Sequence, residues 1–240
     1  SVLEVFEGTG DSLTLQLPVV ESEIKDSATL HWTRVVQGSL ASVHIARTRF
    51  FQHANSNLES LSVSLGSKLV RENFDVFLTG ENATSRLHGL SQAGGDQVID
   101  HHTRVDHVVG HCQTQQLYKS VLAGQSRVVF NGSVVIRHDS QKASSDQLNQ
   151  SLLLSSQAEV DSKPQLEIWA DDVKATHGST VGQLNEEEIF YLLSRAIARD
   201  RAEAMIRQGF SLDLLMQVSD TQVRQWLLAL QPVADQRLLL

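Results

Sequence analysis

Apolar and polar positions alternate in short runs from Ser1 to about Val181. Leu13, Leu15 and Leu17 are separated by polar residues, as are Leu61, Val63 and Leu65, and Phe74, Val76 and Leu78 fall at the same spacing. Val134 with Ile136 and Leu166 with Ile168 repeat the pattern. A period of two buries one face of a strand and solvates the other, so these runs predict many short β-strands. Ser, Thr, Asn, Gln and Gly punctuate them, while proline occurs only at Pro18, Pro164 and Pro232. Such a string suits a sandwich, a barrel or a β-solenoid, and alternation alone does not choose among them. Asn131-Gly132 is the strongest hairpin signal; in a solenoid the same pair would turn a coil corner. No clean repeat of fixed period is visible.

After Gly182 the spacing becomes helical. Asn185 with Glu188 resembles a capping box, and Glu186, Glu187 and Glu188 suit the positive end of a helix dipole. Ile189, Leu192, Leu193, Ala196 and Ile197 share one face. Asp200 with Glu203 predicts a second start, and Gly209 a stop. Ser219 with Gln222 predicts a third helix, striped by Val223, Trp226, Leu227 and Leu230 and interrupted by Pro232. The expected organisation is a strand-rich body over 1–182 and a helical domain over 183–240, its apolar stripes packing on the body or on a partner.

Composition narrows the function classes. Hydrophobic residues make up 41% and charged residues 20%, as in an ordinary globular protein. A formal charge of -8 opposes binding to nucleic acid or an anionic membrane surface. No apolar run reaches membrane-spanning length, and the first residues lack a signal-peptide pattern. The single cysteine, Cys112, excludes an intrachain disulfide, which suits a reducing compartment. The Asn-x-Ser/Thr triplets at Asn82, Asn131 and Asn149 then read as chance matches.

Catalytic motifs are absent. There is no phosphate-binding Gly-x4-Gly-Lys-Ser/Thr loop, Gly8-Thr9-Gly10 lacks a dinucleotide fingerprint's third glycine, and Gly178-Ser179-Thr180-Val181-Gly182 has threonine where a nucleophile elbow needs serine. One cluster carries metal-binding residue types: His101, His102, His107, His111 and Cys112. On one continuous strand His101 and His107 would lie roughly 20 Å apart and could not share an ion unless the chain turned between them; only His111 with Cys112, or His107 with His111 across a bend at Gly110, could. The plainer expectation is hydrogen-bonded histidines and a small buried cysteine.

The stretch from Glu159 to Leu184 contains Lys163-Pro164-Gln165-Leu166-Glu167-Ile168 and Asp171-Asp172-Val173-Lys174, followed by His177-Gly178. Upstream are Asp100-His101-His102-Thr103, Leu117-Tyr118-Lys119, Val129-Phe130-Asn131-Gly132, Gln141-Lys142 and Asn149-Gln150-Ser151-Leu152-Leu153-Leu154. Downstream is Ile189-Phe190-Tyr191-Leu192-Leu193-Ser194-Arg195. Together these resemble the SufB/SufD family of the SUF iron–sulfur assembly system, nearer its SufD branch, most clearly between Asp100 and Arg207.

The resemblance implies a mainly β fold: a right-handed parallel β-helix followed by a C-terminal α-helical domain. It implies a non-catalytic scaffold subunit, paired with a SufB-like subunit and docked to a SufC-like ATPase, in the bacterial cytoplasm or the plastid stroma. His177 matches the family histidine associated with iron or the nascent cluster; the alternative is a hydrogen-bonded corner histidine beside Gly178. Many SufD relatives carry a cysteine two residues before it, where this chain has Ala175, so the sulfur ligands would have to come from the SufB side. Asp171, Asp172 and Lys174 read better as a turn and ion-pair group. Glu187, Ile189, Phe190, Leu193 and Arg195 are the expected docking residues for the ATPase. No tightly bound cofactor is expected in the isolated chain, only a transient iron–sulfur cluster in the complex, and a homodimer of the isolated chain stays open. Family members usually carry a further N-terminal helical segment, either outside this sequence or missing from a short member. The alternatives are a SufB-like sister subunit, a carbohydrate-active β-helix enzyme, and a free-standing metalloenzyme built on the histidine cluster.

Overall fold

A computed structural model describes residues 1–237 except Thr9 and Asp11, with 232–237 described as backbone only; the middle of the Gly8-Thr9-Gly10 run therefore lies outside the described residues. In chain order the strands are β1 (Val2–Glu7), β2 (Thr14–Gln16), β3 (Val19–Ile24), β4 (Thr29–Gln37) and β5 (Ser42–Gln52). Next come β6 (Asn57–Ser64), β7 (Leu69–Leu78), β8 (Thr84–Ala93), β9 (Val98–His107) and β10 (Gln113–Leu122). The last are β11 (Arg127–Ile136), β12 (Ser144–Leu153), β13 (Glu159–Ile168) and β14 (Lys174–Gln183). The helices α1 (Glu186–Leu193), α2 (Arg199–Leu215) and α3 (Thr221–Arg237) follow.

From β3 onward successive strands alternate between two seven-stranded sheets. The first runs β1-β4-β6-β8-β10-β12-β14; the second runs β13-β11-β9-β7-β5, with β2 and β3 both against β5. Every pairing is parallel, which makes the body a β-solenoid. Thr29, Asn57, Thr84, Gln113, Ser144 and Lys174 stack in register, so consecutive coils are 28, 27, 29, 31 and 30 residues long. That variation is why no fixed period shows in the sequence.

Inward-facing columns build the core. Phe50, Val76, Val105 and Val134 are buried in register on the second sheet. Phe50, Phe74 and Trp32 pack with ring centroids 5.4–5.8 Å apart. Five of the six corners entering the first sheet use one left-handed residue: Ser27, Asn55, Asn82, His111 and Lys142. A small residue follows each: Ala28, Ser56, Ala83, Cys112 and Ala143. Cys112 thus fills a small-residue slot, between Ala83 and Ala143 of the adjoining coils, and is wholly buried.

Several local expectations are corrected. Asn131-Gly132 forms neither a hairpin nor a corner; it lies mid-strand in β11, where a side chain at Gly132 would strike Gln147 and Phe130. Leu13, Leu15 and Leu17 are exposed, because their short strand belongs to the first coil and is covered on one side only. α1 ends at Leu193, before the left-handed Ala196, so Ala196 and Ile197 do not extend its stripe. α2 has Ala198 at its N-cap and runs through Gly209. α3 is capped by Asp220, whose Oδ1 accepts from the Gln222 and Val223 amides, and it continues past Pro232. A helix can carry such unfavourable residues when tertiary packing outweighs local propensity. Here Leu214, Leu215 and Leu227 are wholly buried against Val35, Leu61, Val63 and Leu90 on the outer face of the first sheet. Lys119, 5% exposed on that face, donates to the Phe210 carbonyl and to Asp213, pinning α2 down.

Candidate functional site

The site is the last coil. β14 pairs only with β12 and β13 only with β11, so both outer strands present one unpaired side. His177 is the register partner of Gln147, an inward-facing residue that is 1% exposed. By register His177 occupies an interior position, yet it is exposed because no further coil covers it. Two residues on, Ser179 donates to Ser162 Oγ at 2.9 Å across the coil, and Asn149 Nδ2 donates to the same oxygen at 2.9 Å. Leu166 and Ala175 of this coil pack on the apolar core, while Ile168 and Val181 are left exposed. The coil end is therefore an interior surface turned outward, with one imidazole on it.

The flanking groups are arranged differently from expectation. Asp172 pairs with Lys142, not with Lys174, and its amide donates to Gln141 Oε1 at 3.0 Å. Asp171 and Lys174 are exposed. The pair therefore secures a corner, as its turn-like reading anticipated.

The histidine cluster is dispersed. His101 lies inside β9, its Nδ1 3.4 Å from Glu72 and its Nε2 3.0 Å from Ser91 Oγ. His102 is on the opposite face, 2.9 Å from Asp100. His107 is buried against Thr114 Oγ1 at 3.1 Å, and burial lowers its pKa to about 4. His111 is a corner residue, and burial raises the Cys112 thiol. Among the described residues no three His, Cys, Asp or Glu side chains gather to hold a metal.

Sequence reasoning missed a buried charge group in the early coils. Arg34, 1% exposed, lies 2.9 Å from Glu4 and 3.8 Å from Glu72, and stacks over Trp32 at 4.7 Å. Burial pushes the Glu72 carboxyl up, but His101 and Arg34 outweigh it and hold it at about 2. The alternation of β4 and β7 places Arg34 and Glu72 inward, and that was the available signal.

Beyond the coil end, α1 is capped by Asn185, whose Oδ1 accepts from the Glu187 amide at 2.9 Å. Phe190 is 71% and Leu193 38% exposed, and Glu187 is exposed too. The Arg195 guanidinium lies over the exposed Tyr191 ring at 4.4 Å and donates to its hydroxyl at 2.6 Å. Ile189 points the other way and is buried, so it anchors the helix from within. Arg199 donates to both Glu186 and Glu203, tying α1 to α2.

Comparison with known proteins supplies the context. A family model described as "SUF system FeS cluster assembly, SufBD core domain" matches residues 1–210. The chain belongs to the SufB/SufD family. Within that family it is 34% identical over 229 residues to the iron–sulfur cluster assembly protein SufD of Escherichia coli, covering 95% of this chain and 54% of that protein. It is 33% identical over 210 residues to the chloroplastic protein ABCI7 of Arabidopsis thaliana, covering 86% and 44%. A SufBD family protein of Synechocystis is 34% identical over 200 residues, covering 83% and 44%. This SufB/SufD-family chain spans about half the length of these relatives, which come from bacteria and a chloroplast. No described helix is long and apolar enough to cross a membrane.

Proposed function

We propose that this chain is a SufD-like, non-catalytic scaffold in iron–sulfur cluster assembly, in a bacterial cytoplasm or a plastid stroma. The observation that carries the reading is the last coil: two free strand edges and an exposed interior face bearing His177. A free edge recruits another chain's strand through main-chain hydrogen bonds. A SufB-like subunit laid on this end would meet His177 and turn the exposed Ile168 and Val181 into core. Imidazole can replace thiolate on iron, and one such ligand suits a cluster that is cargo and must leave. With Ala175 beside it, the sulfur donors come from the partner. Glu187, Phe190, Leu193 and Arg195 offer a mixed apolar and charged patch to a SufC-like ATPase, with Ile189 behind them.

Three observations weigh against the alternatives. The chain's sole cysteine is wholly buried with a raised thiol pKa, which opposes the sulfur-accepting role of a SufB-like sister. The outer face of the second sheet carries paired charges, Arg47–Asp75, Arg71–Asp100 and Arg137–Asp106, where a carbohydrate-active enzyme would need a row of free carboxylates. The dispersed histidines likewise oppose a free-standing metalloenzyme.

Co-expression with SufB-like and SufC-like proteins, followed by cluster reconstitution, tests the reading. His177→Ala should leave the complex assembled while cluster formation falls. Normal assembly by that variant removes the ligand role, and failure of the three proteins to co-purify removes the scaffold role. The isolated chain should purify without bound iron; a homodimer in its place, measured by light scattering, would mark the same coil end pairing with its own copy.

A further inference from the structure

The coils just behind the open end bury more polar atoms than their side chains can pair. Gln116, Gln147, Asn149 and Ser151 face inward and are 0–4% exposed. Gln116 and Gln147 are register partners across β10 and β12, and His177 is the next residue in that row. Gln116 Oε1 accepts from the Thr103 hydroxyl at 2.8 Å, and the Asn149 amide nitrogen donates to Ser162. Gln116 Nε2, both amide atoms of Gln147, Asn149 Oδ1 and Ser151 Oγ remain buried with no hydrogen-bond partner among the described residues. An unsatisfied buried polar atom is destabilising, because it has given up its bonds to water without replacement. Five in adjoining coils are more than a folded interior ordinarily leaves unpaired, and they point to a small bound partner.

The chemistry selects that ligand. The unpaired groups are two amide nitrogens, two amide oxygens and one hydroxyl, all uncharged. A metal cation would face the amide N–H donors, and an anion would face the carbonyl oxygens. Water donates and accepts alike, and buried waters typically make about three such bonds. We infer that the interior of β10, β12 and β14 holds a file of bound water running from Gln116 to the open coil end beside His177. The hydrogen bonds from Asn149 and Ser179 to Ser162 mark its outer stretch. The inference deepens the reading of His177 as a ligand, and its functional consequence rests on that reading. A partner seated on the coil end would leave a wet polar column behind the imidazole, so the shared site would not become a dry apolar pocket.

Radicals generated by X-rays in bound water oxidise the side chains beside it, which makes the file visible in the isolated chain. Tyr118 is 5% exposed and in register with Asn149, whereas Tyr191 is 56% exposed. Tyr118 should oxidise within about tenfold of the Tyr191 rate, as expected for a side chain against ordered water. Replacing Gln147→Met together with Asn149→Leu should lower the Tyr118 rate at least about threefold by removing the water's partners, with Tyr191 unchanged. An unoxidised Tyr118 in the unsubstituted protein overturns the file, whether or not the double variant folds. A Tyr118 rate unmoved in a folded double variant overturns its location. Cluster assembly is not read in this experiment, so its outcome is independent of the role of His177.

Discussion

β12 and β14 are neighbours in one sheet and in one register, but they live in different environments. Gln147, Asn149 and Ser151 are buried on β12, while their partners His177, Ser179 and Val181 on β14 are exposed. Side-chain direction is the same in both; only the presence of the next coil differs. Burial in this fold is a property of place in the stack more than of residue type. Coils covered on both sides can bury Arg34, Glu72 and His101, whereas the last coil leaves even Val181 in solvent. On the proposed function, such an end is where another molecule would complete the interior.

The contrast can be broken most severely at the buried charge group. Arg34→Ala leaves the Glu72 and Glu4 carboxylates without their guanidinium and should cost about 3–5 kcal/mol, read by urea unfolding. Acid should act next. Burial lowers His44, His88 and His107 from 6.5 to about 4, so the folded chain holds them neutral where the unfolded chain binds protons. Their contribution is complete above pH 6.5 and is lost as pH falls towards 4, on the order of a few kcal/mol for each imidazole. Thermal melts from pH 7.5 to 4.5 should show that decline, and a flat profile would contradict neutral burial.

Glycines sharpen the same comparison. A Cβ at Gly89 would sit 2.2 Å from the Tyr118 ring, while at Gly182 on β14 it would meet nothing within 4 Å. Gly89→Ala should cost about 1–3 kcal/mol through overpacking, and Gly182→Ala should lie within about 0.5 kcal/mol of zero. Smallest of all, His177→Ala should change the stability of the isolated chain by less than about 0.5 kcal/mol, since no partner holds that side chain in the stack.

How far the sequence could be read follows the same division. Phe74, Val76 and Leu78 alternate and are buried; Leu13, Leu15 and Leu17 alternate just as cleanly and are not, because alternation cannot say whether a coil is terminal. The corners repeat, but as Ser27, Asn55, Asn82, His111 and Lys142 at unequal spacing, so the repeat is conformational and leaves no residue signature. That also explains His111 and Cys112, which carry ligand residue types and are a left-handed corner and its small buried neighbour. Asn131-Gly132 was misleading because Gly132 answers to crowding from Gln147 and Phe130, not to a turn. Gly209 and Pro232 failed as helix stops because packing on the first sheet prevails over local propensity. The motif around His177 was legible; its exposure on an interior row was not, since that depends on register with Gln147.

The most direct test is hydrogen–deuterium exchange across the solenoid, with and without a SufB-like partner. Backbone amides of β13 and β14 that face outward should exchange freely in the isolated chain and slow by at least about tenfold in the complex. Those of β9 to β12, already hydrogen-bonded on both sides, should not change. Protection appearing elsewhere, with β13 and β14 still exchanging freely in the complex, would contradict the last coil as the surface that a partner completes.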